Sequence, residues 1–78
     1  MTDKTVLIEA LRRDLPPIFS RRVAAEHLGG VIARGTLANL DSEGVGPGGY
    51  KGLKGVVYER ESFLLWLGDW LSRREARP

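Results

Sequence analysis

Side chains that commonly carry out catalysis or bind metals are scarce in this sequence. Among its 78 residues there is no cysteine and one histidine, His27, which excludes a disulfide scaffold, thiol chemistry and a zinc site built on cysteine. No paired carboxylates stand in a recognisable site and no nucleophile is spaced to work with His27, so we interpret this histidine as a partly buried helix residue. We therefore expect no enzyme, no cofactor, no metal site and no small-molecule substrate.

The glycine-rich segment is the other candidate for chemistry, since glycine-rich loops can bind phosphate groups. Six of the ten glycines fall between Gly44 and Gly55. The run Gly46-Pro47-Gly48-Gly49 lacks the Gly-Lys-Ser or Gly-Lys-Thr ending of a phosphate-binding loop. We predict that this segment forms turns.

Charge and hydropathy narrow the class of protein. Twelve Lys and Arg against ten Asp and Glu give a formal charge of +2, which permits a nucleic-acid partner without requiring one. The longest apolar run, residues 63–67, is far shorter than the roughly 18 residues of a membrane span, and the first residues lack the pattern of a secretion signal. We expect a single domain over residues 1–78 that is cytoplasmic and makes no membrane contact.

Apolar side chains at helical spacing, together with residues that cap or end helices, predict four helices. The first has an apolar face that includes Leu7 and Leu11, and the Pro16-Pro17 pair ends it. Ser20 caps the second, and glycine follows both the second and the third. The predicted helices comprise residues 1–15, a short segment within residues 20–29, residues 33–43 and residues 61–75.

A short hairpin is predicted between the third and fourth helices. Residues 56–58 are β-branched or aromatic and favour a strand, and residues 52–55 would join it to a short strand near Tyr50. The order helix, helix, helix, hairpin, helix is that of a winged helix-turn-helix, a mainly α fold with a small β-hairpin wing. The helix-turn-helix would occupy residues 18–44 and the wing residues 45–58.

Five blocks of sequence occur in an ordered series: SRRVAAE at residues 20–26, TLANL at 36–40, GVGP at 44–47, VVY at 56–58 and FLLWL at 63–67. Together they resemble the excisionase-like helix-turn-helix family, which is related to MerR-type DNA-binding domains and includes AlpA-type prophage regulators. The resemblance covers residues 18–71. It implies sequence-specific binding of double-stranded DNA, either in transcription regulation or in excision with an integrase as a partner.

The resemblance also implies which residues would contact DNA. Residues 34–43 would form the recognition helix, which enters the major groove and presents side chains to bases or phosphates. The wing and the start of the first motif helix would contact phosphates. The implied DNA-binding residues are Arg34, Thr36 and Asn39 on the recognition helix, Lys51 and Lys54 on the wing, and Arg21 and Arg22 at the start of the first motif helix.

The recognition helix departs from the family pattern. Ala33-Arg34-Gly35 stands where relatives usually have a capping pair and then a basic residue, which should cost about 1–2 kcal/mol of helix stability. Residues 34–43 carry a net charge of −1, because Asp41 and Glu43 outweigh Arg34. A protein-interaction module that keeps the fold but does not bind DNA is therefore the alternative function.

Apolar surfaces leave a homodimer as a candidate assembly. Trp66 and Trp70 are four residues apart, so only one of them can point fully inward. Trp66, with Leu65 beside it at the edge of the apolar face, could contact a second copy. We expect the N-terminal helix to pack within the chain. Asn39 and the Arg21-Arg22 pair could also be ordinary solvated surface residues.

Overall fold

The computed structural model describes residues 4–29, 32–52 and 55–75. Within these ranges the chain is mainly helical, with four α-helices and one three-stranded antiparallel sheet. None of the described helices is long and apolar enough to cross a lipid bilayer. The helices are α1 (Lys4–Asp14), α2 (Arg21–His27), α3 (Arg34–Ser42) and α4 (Arg60–Glu75), and the strands are β1 (Ile18–Ser20), β2 (Tyr50–Gly52) and β3 (Gly55–Glu59).

The predicted hairpin between α3 and α4 is confirmed. Its strands β2 and β3 are antiparallel, with Tyr50 opposite Val57 and Gly52 opposite Gly55. The expected tip residues Leu53 and Lys54 lie outside the described residues.

The predicted order of elements is wrong in one respect, because it lacks the strand β1. Ile18 lies opposite Glu59 and Ser20 opposite Val57, so β3 is the central strand between β1 and β2. A strand of three residues is too short to show an alternating pattern, and its partner lies far along the chain. Pairing with β3, not a local pattern, therefore specifies β1.

The core lies between the sheet and the helices. Phe19 of β1, Tyr58 of β3 and Phe63 of α4 form three neighbouring rings with centroid distances of 5.2 to 6.1 Å. Helix α1 packs against α4, which confirms the expectation that it folds within the chain. The buried apolar side chains are Leu11, Leu15, Phe19, Ala24, Leu28, Ile32, Leu37, Tyr58, Phe63, Leu64 and Leu67.

Several side chains are more exposed than the sequence pattern predicts. Leu7 is 39% exposed, at the edge of the inward face of α1. His27 is exposed and not partly buried, because it ends α2 and its Nδ1 turns back to lie 3.0 Å from the carbonyl oxygen of Val23. Trp66 and Trp70 are both half-buried with ring centroids 6.0 Å apart, so neither points fully into the core.

Helices α2 and α3 begin differently. The Ser20 hydroxyl accepts a hydrogen bond from the N–H of Val23 at 3.2 Å, which confirms the predicted cap of α2. Ala33 precedes α3 and makes no side-chain hydrogen bond to it, as expected for a weak cap. Gly44, with φ of +79°, lies just beyond the end of α3 in the left-handed conformation that favours glycine.

Helix α4 is capped by Glu59, the last residue of the central strand. Its carboxylate accepts hydrogen bonds from the N–H groups of Glu61 and Ser62 at 2.8 and 3.0 Å. These hydrogen bonds hold the pKa of Glu59 below its ordinary value. One residue thus ends the strand and begins the helix that covers the core.

Gly49 marks a close approach between the glycine-rich loop and the sheet. A Cβ atom there would lie 2.3 Å from Cγ1 of Val56 and 2.7 Å from Cε1 of Tyr58. We therefore expect Gly49→Ala to lower the free energy of unfolding by about 1–3 kcal/mol, measured by urea denaturation. Gly68→Ala in α4 is the matched control, since beyond its chain neighbours and the backbone of its own helix the new Cβ would meet no described atom within 4 Å, and the substitution should add about 0.5–1 kcal/mol of helix stability. Equal effects of the two substitutions would contradict this packing.

Candidate nucleic-acid interface

Three arginines line one open groove on the surface. The groove lies where α2, α3 and β3 begin, and its volume is about 530 Å³. Two of the arginines open α2 and the third opens α3. No carboxylate is among its described lining residues, which are Ser20, Arg21, Arg22, Arg34, Gly35, Ala38, Gly55 and Val56. The groove is therefore basic.

Secondary structure brings these arginines together from separate parts of the chain. Ser20 both pairs opposite Val57 in the sheet and caps α2, so the sheet fixes where the first two arginines begin. Helix α3 packs against α2 and buries Leu37 completely. Because Leu37 faces inward, Thr36 and Asn39 on the same helix are exposed.

The Arg21 guanidinium is held by side chains from two other elements. Its Nε donates a hydrogen bond to the Tyr58 hydroxyl oxygen at 2.9 Å, and its Nη2 forms an ion pair with Oδ2 of Asp41 at 2.8 Å. The Tyr58 hydroxyl donates to the same carboxylate oxygen at 2.7 Å. The side chains of Arg21 and Asp41 are 23% and 14% exposed. A partly buried polar cluster of Arg21, Asp41 and Tyr58 thus joins α2, α3 and β3.

Burial and hydrogen bonding set the charge states in the polar cluster. Partial burial would raise the pKa of the Asp41 carboxyl, but hydrogen bonds from Arg21, Tyr58 and the N–H of Gly48 outweigh it and lower that pKa. Burial, together with the hydrogen bond to Asp41, raises the pKa of Tyr58 to about 12. At neutral pH the cluster therefore contains a charged arginine, an ionised aspartate and a neutral tyrosine.

Asp41 also holds the glycine-rich loop against α3. Its Oδ1 accepts a hydrogen bond from the N–H of Gly48 at 3.1 Å. A Cβ atom at Gly46 would lie 2.3 Å from that oxygen, so glycine permits this approach. From the other side, the Trp66 indole N–H donates to the carbonyl oxygen of Val45 at 2.8 Å. The loop is therefore fixed between α3 and α4, and its glycines allow close packing.

The structure brings three of the seven predicted contact residues into one groove. Neither Arg22 nor Arg34 forms an ion pair with a described residue, so both guanidinium groups are available to a ligand. The positions are as follows: Arg21, Arg22 and Arg34 line the groove, Thr36 and Asn39 lie exposed on α3, Lys51 lies exposed on β2, and Lys54 lies outside the described residues.

Sequence reasoning missed Asp41 and Tyr58 as members of this site. Charge counting treats Asp41 as a residue that repels DNA, whereas its ion pair with Arg21 compensates that charge. Tyr58 is the residue that could have indicated this cluster, because the hydroxyl of a tyrosine in a buried strand needs a polar partner. Its partners could not be identified from sequence, since they lie on two other elements.

The described histidine and carboxylates are candidate metal ligands by residue type. No group of three or more His, Asp and Glu side chains among them could hold a metal ion. His27 instead borders a small apolar cavity of about 70 Å³, whose other lining residues are Leu7, Leu28, Ile32, Leu67, Trp70 and Leu71.

The polar cluster should make stability depend on pH in the acid range. The pKa of Asp41 is lower in the folded chain than its ordinary value of 3.8, so the carboxylate stabilises the fold above that value and this stabilisation is lost as pH falls through the folded pKa. We expect the urea midpoint of the wild type to fall more steeply than that of Asp41→Asn below about pH 5. At neutral pH the variant should be less stable by about 1–3 kcal/mol, because Arg21 loses its charged acceptor. Parallel pH profiles would contradict the ionised, hydrogen-bonded state of Asp41.

Comparisons of the chain with protein-family models, with curated proteins and with solved structures found no match. Function is therefore inferred from the basic groove, from the polar cluster beside it and from the resemblance carried by the sequence blocks.

Proposed function

We propose that this chain binds double-stranded DNA as a winged helix-turn-helix, with α3 in the major groove and the β2–β3 hairpin against the phosphate backbone. The observation that carries the proposal is the groove at the starts of α2, α3 and β3. Three arginines line this groove, and no carboxylate is among its described lining residues. Arginine side chains neutralise and orient phosphates, and phosphate contacts supply much of the affinity of proteins for DNA.

The charges near α3 favour DNA more than a residue count suggests. Residues 34–43 sum to −1, but Asp41 is already paired with Arg21. Arg34 and Glu43 are the other charged residues of the segment, and both are exposed. They lie about 13 Å apart along the helix axis, since a helix rises about 1.5 Å per residue. The end of α3 that lines the groove is therefore positive.

The exposed surface of α3 also suits contact with DNA. Thr36 and Asn39 can hydrogen-bond to base edges or phosphates. Gly35 and Ala38, which line the groove, are small enough to let a phosphate backbone come close to the helix. Ala33 provides no side-chain cap, so no capping side chain competes with a phosphate for the N–H groups of the first turn.

The biological role that we propose for DNA binding rests on the sequence resemblance. It supports a sequence-specific regulator of the prophage type, or an excision factor that works with an integrase. Either role would place the protein in the cytoplasm and would need no catalysis by this chain, because a regulator acts by occupying DNA and an integrase carries out the strand exchange. The order of neighbouring genes would distinguish the two, since an adjacent integrase gene favours excision.

A protein-interaction module is the second candidate, favoured by a cleft between the end of α3 and α4 whose lining combines apolar side chains with the charged Asp69 and Arg73. The half-buried Trp66 and Trp70 line it together with Val45, which is 54% exposed. This cleft could contact a second copy of the chain or another protein. The salt dependence of binding discriminates between the two candidate functions. For a DNA-binding protein, the logarithm of the binding constant falls with the logarithm of the salt concentration, with a slope of about −0.9 per phosphate contact.

Substitutions on α3 and on the hairpin should differ in their effects on DNA binding. Arg34→Ala and Asn39→Ala should each weaken binding to a preferred site by about 1–3 kcal/mol and reduce discrimination between sequences. Lys51→Ala should weaken binding to all sequences alike and make the salt slope less steep by about one unit. Fluorescence anisotropy at several salt concentrations, with duplexes selected from a randomised pool, measures both effects.

Arg13→Ala is the matched control for these charge changes. It removes one positive charge from α1, where Arg13 is exposed and does not line the groove. Binding should be nearly unchanged in this variant. The proposal is wrong if the wild type binds no duplex at low salt, or if Arg13→Ala weakens binding as much as Arg34→Ala.

A further inference from the structure

We propose that Asp41 is a positioning residue for DNA binding: together with Tyr58 it holds the Arg21 guanidinium so that the open edge of that group faces a phosphate in the groove. The inference rests on the proposed function and deepens it. It assigns a supporting role to the acidic side chain that charge counting would regard as an obstacle to DNA. The polar cluster then belongs to the binding site as well as to the fold.

The Arg21 guanidinium is occupied along one edge and open along another. Its N–H donors lie in one plane, as in every arginine. Nε and Nη2 donate to Tyr58 and Asp41 at 2.9 and 2.8 Å, whereas no described residue accepts a hydrogen bond from Nη1. Arg21 lines the groove and its side chain is 23% exposed. Nη1 is therefore the atom available to a phosphate oxygen there.

Fixing the arginine in advance should strengthen binding. A long side chain that is free before binding loses rotamer entropy when it contacts a ligand, and a side chain that is already held loses less. Removing Asp41 would add positive charge near the groove, but attraction between exposed charges is screened by salt. A charge-assisted hydrogen bond in a fixed geometry is stronger and more directional. The loss of orientation should therefore outweigh the gain in charge.

The second carboxylate oxygen of Asp41 extends this positioning to the loop before the hairpin. Oδ1 accepts a hydrogen bond from Gly48 at 3.1 Å, while Oδ2 accepts from Arg21 and Tyr58. Asp41 therefore connects Arg21, the end of α3 and the loop that leads into β2. Tyr58→Phe can separate these roles, because it removes a hydroxyl from Arg21 and leaves the contact between Asp41 and Gly48.

The test compares two substitutions that each remove one negative charge from the same end of α3. Asp41→Asn should weaken binding about tenfold, since Arg21 loses the charge-assisted hydrogen bond that orients it. Glu43→Gln should leave binding unchanged or tighten it, because the exposed Glu43 makes no side-chain hydrogen bond or ion pair with a described residue. Anisotropy with a randomised duplex at low salt measures affinity, and urea unfolding verifies that each variant is folded.

Three further variants separate positioning from a general loss of structure. Arg21→Ala should weaken binding and make the salt slope less steep by about one phosphate contact. If Asp41 acts through Arg21, Asp41→Asn should cause no additional loss in the Arg21→Ala background. Tyr58→Phe should weaken binding severalfold, which tests the same geometry without changing any charge.

The outcomes distinguish this inference from the proposed function. Tighter binding by Asp41→Asn, or losses that add fully in the double variant, would overturn the positioning role while sensitivity to Arg34→Ala still supports DNA binding. Should Asp41→Asn not fold, Tyr58→Phe decides, and unchanged binding by that variant overturns the role. A wild type that binds no duplex overturns both proposals.

Discussion

The ring of Tyr58 lies in the core, 1% exposed, against Phe19 and Phe63, and its hydroxyl must find hydrogen-bond partners away from water. Arg21 and Asp41 provide them, one as a donor and the other as an acceptor. Because these residues belong to α2 and α3, satisfying one hydroxyl fixes both helices against the central strand. The groove arginines lie at the starts of the same two helices, so their arrangement depends on this partly buried cluster.

The same contact accounts for part of the glycine content before the hairpin. Gly49 packs on Tyr58 and Val56, and Gly46 and Gly48 approach the Asp41 carboxylate. At Gly46 and Gly49 a side chain would collide with the atoms that the cluster holds in place. The segment is therefore a close-packed connection between α3 and β2, and its composition follows from what it must lie against. The density of glycines in the sequence predicts turns. It does not predict that Gly46 and Gly49 lie against Asp41 and Tyr58, because those contacts depend on the folded structure.

Features that depend on sequence neighbours could be predicted, and features that depend on distant partners could not. The cap at Ser20 and the stop at Gly44 are local, so the helices could be located from the sequence. Strand β1 is extended because it pairs with β3, and three residues carry too little pattern to indicate this. The groove arginines were implied by the sequence resemblance, whereas the contacts of Asp41 could not be predicted, since a charge count does not say which cation lies beside it. The ion pair of Asp41 and the strand β1 thus escape sequence reasoning for the same reason, since each depends on a partner far along the chain.

A chain of this size has little stability to spare, so the polar cluster, which joins α2, α3 and β3, limits the substitutions that the fold can accept. Arg21 has a structural partner on each of two elements, and any change there alters the packing of α2, α3 and β3 together. Arg22, Arg34 and Asn39 are exposed, and neither arginine is committed to an ion pair with a described residue. In the proposed complex with DNA, substitutions at these exposed positions should change sequence preference with small effects on stability, whereas the placement of α2 and α3 depends on the partly buried polar cluster. In that complex, sequence preference and the placement of the two helices would then depend on different residues.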